Sequence, residues 1–384
     1  MLKHYLVYLP LVRGSPEEEW EQCRKQIPGA LHEGNRLVKL NIFVDQTDYS
    51  SFLRIRNSID ESLKESFCDQ CPAFNITVHP PEKPWKITVE AGFVSTFSST
   101  VVSKIWHSIP YIVRVTDTEK EVWAGGLGAG LFPDDTRKAA TAAFDQMRAI
   151  LYAEKISFDH IVRQWNFIGN ILEVKNGIQN YQIFNEVRSE SYHKYRNVHS
   201  YPAATGVGMK YGGVNLDFYA VKAERNLKII AIDNPDQIRP YGYSQQVLKG
   251  KPVGSRTLNQ PPQFERAVFI ADSLSSTLFV SGTASIIGQD TIGIEDIGRQ
   301  TVVTIENISK LTDSKRLGHL TGKTDTNAGK LILLRVYIKK QEDFAKVKEI
   351  CNEFHPCVPV IYIEADICRD NLLVEMEAEF SKIN

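Results

Sequence analysis

The sequence predicts an α+β protein built from three copies of one unit, each a mixed sheet covered by helices on one face. The first observation is internal repetition, because a strand, a helix and two further strands recur three times along the 384 residues. The second is that a longer amphipathic helix, preceded by a glycine-rich strand end, comes before the second and third copies. The third is length, since about 150 residues per domain leaves room for two to three compact units.

The first copy is the least regular of the three. Its helix, strand, helix and two strands are expected, in chain order, at residues 16–27, 37–44, 47–66, 74–78 and 85–89. The first of these helices is shorter than its counterparts in the other copies. We therefore predict a degenerate N-terminal unit over residues 1–100.

The second and third copies show the same order more clearly. In the second copy the five elements are expected at residues 137–155, 161–168, 179–194, 204–208 and 214–221. In the third copy they are expected at residues 293–311, 331–338, 341–354, 360–364 and 372–377. A proline, which cannot continue a helix, introduces the penultimate strand of each copy, at Pro72, Pro202 and Pro359.

Two further domain predictions follow from these copies. A central unit is expected over residues 101–232 and a C-terminal unit over residues 265–384. Between them, residues 233–264 are rich in Pro, Gly, Gln and Tyr and show no clear periodicity, which predicts an irregular linker. A loop of that length in a compact protein usually carries a function or is disordered.

Composition excludes several classes of protein. The 45 basic and 46 acidic residues give a net charge of −1, which argues against binding to nucleic acid through phosphate electrostatics. No apolar run approaches the roughly 20 residues of a membrane span, and the first residues lack the cleavage site of a signal peptide. Six scattered cysteines do not make a disulfide framework. We therefore expect a cytoplasmic protein without nucleic-acid or membrane partners.

Two motifs point to no cofactor. Cys68 and Cys71 form a single CxxC without a second pair or nearby histidines, so zinc or redox chemistry is not indicated. The glycine-rich residues 125–130 lack the Lys-Ser/Thr of a phosphate-binding P-loop. The nine histidines show no metal-ligand spacing. No metal site is predicted.

Glu375 and Glu377 alternate with apolar residues in the last predicted strand, so their side chains share one face. Burial and like-charge repulsion could raise the pKa of one of them and keep it protonated. The ordinary alternative is that both face solvent on an edge strand, as most glutamates do.

The repeat resembles the RidA/YjgF-like (chorismate mutase-like) fold, whose members are homotrimers with sites at their subunit interfaces. The resemblance implies a fused pseudo-trimer, and hence a monomer in which the former interfaces are internal. A closer resemblance is to the chorismatase family. It covers the chain from about residue 105 onwards and is carried by residues 163–167, 184–188, 201–208, 281–288, 365–369 and 372–375.

Chorismatases remove the enolpyruvyl group of chorismate as pyruvate. One branch of the family leaves a dihydroxycyclohexadiene carboxylate by hydrolysis, and another releases 3-hydroxybenzoate, with some 4-hydroxybenzoate in certain members. Gly282 and Cys368 stand at the two positions that separate the branches, and this combination resembles the hydroxybenzoate-forming branch. The implied substrate is chorismate, a small molecule, and no metal or organic cofactor is implied.

The resemblance also implies roles for single residues. Glu375 matches the family's catalytic glutamate and is expected to protonate the methylene carbon of the enol ether. Cys368 is expected to shape the pocket with Gly282, because no base that would make it a nucleophile is evident. The two substrate carboxylates call for guanidinium groups. The expected substrate-binding residues are Arg163, Arg188, Tyr201, Gly282, Thr283 and Arg335; for each arginine, an ordinary ion pair is the alternative.

Two other functions stay open. A RidA-type imine or enamine deaminase would carry an arginine after the proline that leads into the penultimate strand. This chain has Phe74, Ala204 and Val360 at those places, which argues against that activity. A small-molecule-binding module without catalysis is also compatible, because a fold does not fix a function.

Overall fold

The computed structural model describes residues 3–31, 34–197, 200–223, 227–254, 256–272, 275–322 and 326–383. Within them lie three larger sheets, of four, seven and six strands, and two two-stranded ribbons. The architecture is α+β, as the sequence predicts. None of the described helices is both long and apolar enough to cross a membrane.

The N-terminal unit forms the four-stranded sheet, with the strand order β1-β4-β2-β3. Its elements are β1 (Lys3–Tyr8), α1 (Pro16–Gln26), β2 (Asn35–Val44), α2 (Tyr49–Phe67), β3 (Ala73–Thr77) and β4 (Ile87–Ser95), with 3-10 turns at Ile27–Ala30 and Cys68–Gln70. Strands β2 and β3 are parallel and the other pairs are antiparallel. Helix α1 begins at a capping box in which Ser15 and Glu18 satisfy each other's backbone N–H groups.

The central unit forms most of the seven-stranded sheet, with the order β20-β11-β8-β12-β7-β6-β5. Its own elements are β5 (Thr100–Trp106), β6 (Ile109–Val115), β7 (Glu119–Leu127), α3 (Thr136–Ala153), β8 (Ile161–Gly169), β9 (Val174–Lys175), β10 (Ile178–Gln179), α4 (Asn180–Tyr195), β11 (Ala203–Met209) and β12 (Val214–Ala223), with a 3-10 turn at Phe158–His160. The stripe predicted on α3, which includes Phe144 and Met147, is buried against the sheet and α4.

The C-terminal unit forms the six-stranded sheet, with the order β13-β14-β15-β21-β18-β19. Its elements are β13 (Lys228–Ile232), β14 (Ala267–Ala271), β15 (Ser275–Ala284), β16 (Ile286–Ile287), β17 (Asp290–Thr291), α5 (Ile297–Leu311), α6 (Ser314–Thr321), β18 (Lys330–Ile338), α7 (Phe344–Phe354), β19 (Val360–Glu364), β20 (Asp366–Ile367) and β21 (Val374–Ile383), with 3-10 turns at Pro240–Gly242 and Gln341–Asp343. Strand β13 pairs with β14 in this sheet, although the sequence placed it at the end of the central unit. Strand β20 crosses over to pair with β11 of the central sheet.

The three sheets share one internal pattern. In each, the strand between the two helices is parallel to the strand after the second helix and antiparallel to the last strand. That strand carries a β-bulge at the same place, at Val38, Val162 and Ile332. Three residues beyond the bulge, it lies opposite an acid of the last strand, namely Glu90, Asp217 and Glu377.

The sheet faces not covered by helices meet at the centre of the molecule. Buried ion pairs join them two by two: Lys39 to Asp217, Arg163 to Glu377, and Arg335 to Glu90. A buried charge is tolerated only when it is paired. The three pairs therefore form a cycle that links each unit to the other two.

Candidate active site

A cavity lies between the central and C-terminal units. Its walls come from α4 and β11 on one side, and from β15, β21 and the loop after β20 on the other. The remaining wall is the linker, which contributes Tyr243, Val247, Leu248, Lys249, Pro262 and Phe264. The segment that the sequence marked as irregular thus encloses the cavity.

Glu375 lines this cavity from the start of β21, with 5% of its surface exposed. On the neighbouring strand β15, a β-bulge brings Gly282 against its carboxyl group. A Cβ atom at Gly282 would overlap a carboxyl oxygen of Glu375 and lie 3.0 Å from its Cδ. Only glycine therefore leaves Glu375 its present position.

Glu375 is held in its neutral form near pH 7. Burial, followed by the negative charge of Glu377, raises the pKa of Glu375 to about 8. Glu377 lies two residues further on the same strand face, and its pKa is shifted in the opposite direction. Burial opposes its charge, but Arg163, Arg335 and Thr205 hold the pKa of Glu377 below its ordinary value. The strand thus presents a protonated acid beside a carboxylate.

Arg163 and Arg335 bind Glu377 and do not line the cavity. Arg163 Nη2 donates to Glu377 Oε2 and to Thr205 Oγ1, both at 2.6 Å. Arg335 donates to Glu377 and, through two of its nitrogens, to Glu90. Their charges are compensated by carboxylates at the centre of the molecule, which is the ion-pair alternative that the sequence left open for each arginine.

Arg188 lies behind the cavity wall on α4, fully buried. Its Nη2 donates to Asn185 Oδ1 at 2.7 Å, and Asn185 lines the cavity. Its Nε has no hydrogen-bond partner among the described residues. Arg188 itself does not line the cavity and reaches its wall through Asn185.

Tyr201 and Thr283 also lie outside the cavity lining. The ring of Tyr201 packs between Tyr192 and Tyr241, with centroids at 5.7 and 5.2 Å. Thr283 alternates with Gly282 along β15, so it points to the other face, where its hydroxyl donates to Ser281 O at 2.9 Å. Their role in substrate binding stays a prediction, and the described cavity offers neither side chain a direct contact.

Cys368 lines the cavity and is partly buried. Burial, followed by the charge of Glu375, raises the pKa of Cys368 to about 12. The side chain is therefore a neutral thiol at physiological pH. It contributes shape and limited polarity to the cavity wall.

The arginines that do line the cavity are Arg266 and Arg369, which the sequence analysis missed. Arg266 Nη2 donates to Ile238 O and Tyr243 Oη at 2.7 Å, and its buried Nε has no hydrogen-bond partner among the described residues. Arg369 lies over the ring of Tyr243, at 5.0 Å from its centroid. A signal existed for Arg369, because it directly follows Cys368, whereas Arg266 follows the linker without any distinguishing pattern.

An aromatic side chain completes the wall beside Glu375. Tyr181, at the start of α4, packs its ring on Gly206, whose missing Cβ would lie 3.4 Å from the ring. Burial raises the pKa of Tyr181 above its ordinary value. A flat, apolar surface, two guanidinium groups and a protonated carboxyl group therefore share one enclosed cavity. In the part of the chain that the structure describes, no three His, Cys, Asp or Glu side chains converge as a metal site.

Fold and cavity together define an α+β protein with a site between two of its sheets. Comparison with known proteins shows the family to which this chain belongs. A family model for the N-terminal region of FkbO/Hyg5-like chorismatases matches residues 118–220. A 3-hydroxybenzoate synthase from Streptomyces hygroscopicus is 32% identical over 258 residues, which cover 65% of this chain and 72% of that protein. A chorismatase from Streptomyces rapamycinicus is 28% identical over 257 residues, covering 65% and 73%. The chain belongs to the chorismatase family.

A solved chorismatase structure shares the fold. It superposes with a TM-score of 0.66 and 19% identity, and the match covers 99% of this chain and 98% of that one. The similarity thus extends to the N-terminal residues, where the sequence resemblance was weak.

Proposed function

We propose that this protein cleaves chorismate to pyruvate and 3-hydroxybenzoate, with some 4-hydroxybenzoate as a possible second product. The observation that carries the proposal is Glu375, an acid that is neutral near pH 7 and faces an enclosed cavity with arginines. The family membership and the relative named 3-hydroxybenzoate synthase support the choice of substrate and product.

The substrate would lie flat between Tyr181 and β15, beside the carboxyl group of Glu375 that packs on Gly282. Its two carboxylates would bind Arg266 and Arg369, whose planar groups match carboxylate geometry. Asn185, held by Arg188, would donate a further hydrogen bond. This assignment replaces the arginines that the sequence suggested with those that the cavity contains.

The first chemical step is proton transfer from Glu375 to the terminal methylene carbon of the enol ether. The new C–H bond uses the electrons of the C=C bond, and the ether oxygen stabilises the resulting cation. The hydroxyl oxygen on ring carbon C4 then displaces the ether oxygen from C3: its O–H bond breaks and the proton returns to Glu375, the new C3–O bond closes an epoxide, and the electrons of the broken ether bond become part of the keto group of pyruvate. The epoxide opens at C4, C3 loses its proton as the ring becomes aromatic, and the oxygen takes up a proton, which leaves the hydroxyl group at C3. Opening at C3 with loss of the C4 proton gives 4-hydroxybenzoate instead, and in both cases the two products together contain the atoms of chorismate. Since the enol ether and the ring supply their own electrons, the proposal includes no cofactor.

Cys368 and Gly282 would direct the ring towards aromatisation. The alternative within the family is hydrolysis to a diene diol, which differs by one added water molecule. The neutral thiol of Cys368 is no base that could activate a water molecule, and at Gly282 the space of a side chain is taken up by the carboxyl group of Glu375. At the place where a deaminase would carry an arginine, Ala204 lies in the cavity wall, so that function is not favoured.

The test is the replacement of Glu375 by glutamine. Glu375→Gln keeps the shape but removes the acidic proton, so we expect pyruvate release from chorismate to fall by roughly 10²- to 10⁴-fold. Pyruvate is measured with a coupled assay, and the aromatic products are separated by chromatography. Glu379→Gln is the matched control, because Glu379 lies on the same strand face but binds Lys3 and Tyr5 away from the cavity.

The wild-type products decide between the functions. Pyruvate with 3-hydroxybenzoate supports the proposal, and a diol would move the protein to the hydrolytic branch. Turnover of 2-iminopropionate without turnover of chorismate would favour the deaminase. Wild-type rates in folded Glu375→Gln would remove Glu375 from the mechanism.

We also propose that the three units, over residues 1–100, 101–232 and 265–384, correspond to fused RidA/YjgF-like subunits that form a monomeric pseudo-trimer. The shared strand order, the bulges and the cycle of central ion pairs support this interpretation. The active site would then lie at one of three internal interfaces between units.

A further inference from the structure

None of the described residues of the N-terminal unit lines the cavity. The unit nevertheless contacts the acid site through a buried chain of charges. Glu90, on β4, binds Arg335 on β18 through both carboxylate oxygens. Arg335 reaches Glu377 with its remaining Nη1. Glu377 is the carboxylate two residues from Glu375. Each of these side chains is at most 5% exposed.

The geometry makes Arg335 a shared cation. Two of its nitrogens face Glu90 and one faces Glu377, while the ring of Trp165 lies beneath its guanidinium at 5.1 Å. Trp165 also donates from Nε1 to Glu377 Oε1 at 2.7 Å. One guanidinium group thus directly contacts two carboxylates, Glu90 and Glu377.

We propose that Glu90 is a positioning residue for the reaction: it holds and neutralises Arg335, so that Glu377 keeps a net negative charge beside Glu375 and Glu375 keeps its proton. This inference rests on the proposed function, in which Glu375 donates that proton. The N-terminal unit would then take part in the chemistry although it does not line the cavity.

The charges within the buried network of Arg163, Arg335, Glu90 and Glu377 balance in the native chain, whereas Arg266 and Arg369 in the cavity wall add positive charge that the variants below leave unchanged. Arg163 and Arg335 supply two positive charges, and Glu90 and Glu377 supply two negative charges, with Glu375 neutral among them. If Glu90 loses its charge, one positive charge is left uncompensated at Arg335. That excess stabilises the ionised form of Glu375, because an unpaired positive charge favours a nearby carboxylate. Glu375 then loses its proton at lower pH.

Other charged and titratable groups face these residues. Around Glu375 these are Arg163, Arg266, Cys368 and Tyr181. Around Glu377 and Glu90 these are Tyr337, Tyr5 and Lys39, and Lys39 is paired with Asp217. Burial raises the pKa values of Cys368, Tyr5 and Tyr337 above their ordinary values, so none of these three gains a charge as Glu375 titrates.

The test is the pH dependence of kcat/KM for chorismate in the full chain. A general acid gives a basic limb, on which activity falls as the acid loses its proton. In Glu90→Gln we expect this limb to move to lower pH by roughly one unit, as for one uncompensated charge on the order of 10 Å away at an effective dielectric constant of about 20. At a pH below the limb, kcat/KM stays close to the wild-type value.

Two further variants separate charge from structure. Glu90→Asp keeps the charge but withdraws it from Arg335, so its limb lies between those of the wild type and Glu90→Gln. In the double variant Glu90→Gln/Arg335→Gln, one negative and one positive charge are removed, and the limb returns to the wild-type position. Circular dichroism checks that each variant is folded. If Glu90→Gln does not fold, the comparison of Glu90→Asp with the double variant decides.

The outcomes distinguish this inference from the proposed function. Unchanged basic limbs in folded, active Glu90 variants would overturn the inference and leave the function intact. An equal loss of activity at every pH would make Glu90 a purely structural residue and would also overturn it. Absence of chorismate turnover in the wild type would instead reject the proposed function.

Discussion

At the scale of single residues, the proposed chemistry depends on two glutamates whose environments differ. Glu375 and Glu377 are two positions apart on one strand face, and both are buried. Glu377 meets two guanidinium groups and Thr205, whereas Glu375 meets Gly282 and the cavity. Their pKa values consequently move in opposite directions. Such a pair supplies a proton donor and a fixed negative charge from the same residue type.

A second residue-scale prediction concerns the product. Cys368→Ala removes the sulfur atom beside the ring and leaves space for water, so we expect a larger share of diene diol relative to hydroxybenzoate. The products are separated by chromatography after complete turnover. Cys351→Ala is the matched control, because Cys351 is a buried thiol of α7 whose pKa is also raised to about 12. A product ratio that is the same in all three proteins would contradict a steering role for Cys368.

At the scale of elements, the linker matters most, since it closes the cavity. Its contacts with the central unit include two near the cavity: Lys251 N donates to Gly177 O at 2.7 Å, and Arg256 pairs with Glu186 at 2.5 Å. Glu186 is fully buried on α4, where Gln182 Nε2 donates to it. Gln182 lines the cavity. The carboxylate of Glu186 thus connects the linker, through Arg256, to the α4 wall of the cavity, through Gln182.

This connection gives a prediction for substrate binding. Arg256→Ala leaves the carboxylate of Glu186 buried without its cation, which loosens both the linker and Gln182. We expect KM for chorismate to rise by about fivefold, with a smaller change in kcat. Arg239→Ala is the control, because Arg239 belongs to the same linker but pairs with Asp233 on the surface. Equal KM values in both variants would show that the Arg256 pair does not hold the cavity closed.

The sequence predicted elements better than contacts. Helices and strands with clear periodicity, such as α3 and α7, lie within a few residues of their predicted bounds. Strand β1 was not predicted. The roles of Arg163 and Arg335 were not predictable either, because their partners Glu377 and Glu90 lie 214 and 245 positions away in the sequence. Only the folded sheets bring those charges together.

The candidate site shows the same difference between what local sequence patterns predict and what only the folded chain brings together. Local motifs indicated Glu375, Gly282 and Cys368, and all three line the cavity. Arg266 and Tyr243 come from the irregular linker and its junction with β14, where no periodic pattern marks a position. The sequence could therefore indicate the reactive part of the site, but not the part that recognises charge.

At the scale of the whole molecule, comparison of the three units predicts that only one interface between units is catalytic. The strand position of Glu375 is occupied by Thr88 in the N-terminal unit and by Asn215 in the central unit. Neither side chain can act as an acid at neutral pH. We expect a monomer of 43.4 kDa by light scattering, and one 3-hydroxybenzoate bound per chain by calorimetry. Two or three equivalent binding sites per chain would contradict this.

Joining the units in one chain has a consequence for how such a site can change. In an assembly of identical subunits, every substitution appears at every interface, so no interface can specialise alone. Here the threonine, asparagine and glutamate at one strand position are encoded separately. One interface between units can therefore acquire a reactive group while the other two do not. A unit that lines no part of the reactive interface can still change independently and, as proposed for Glu90, adjust the electrostatics there.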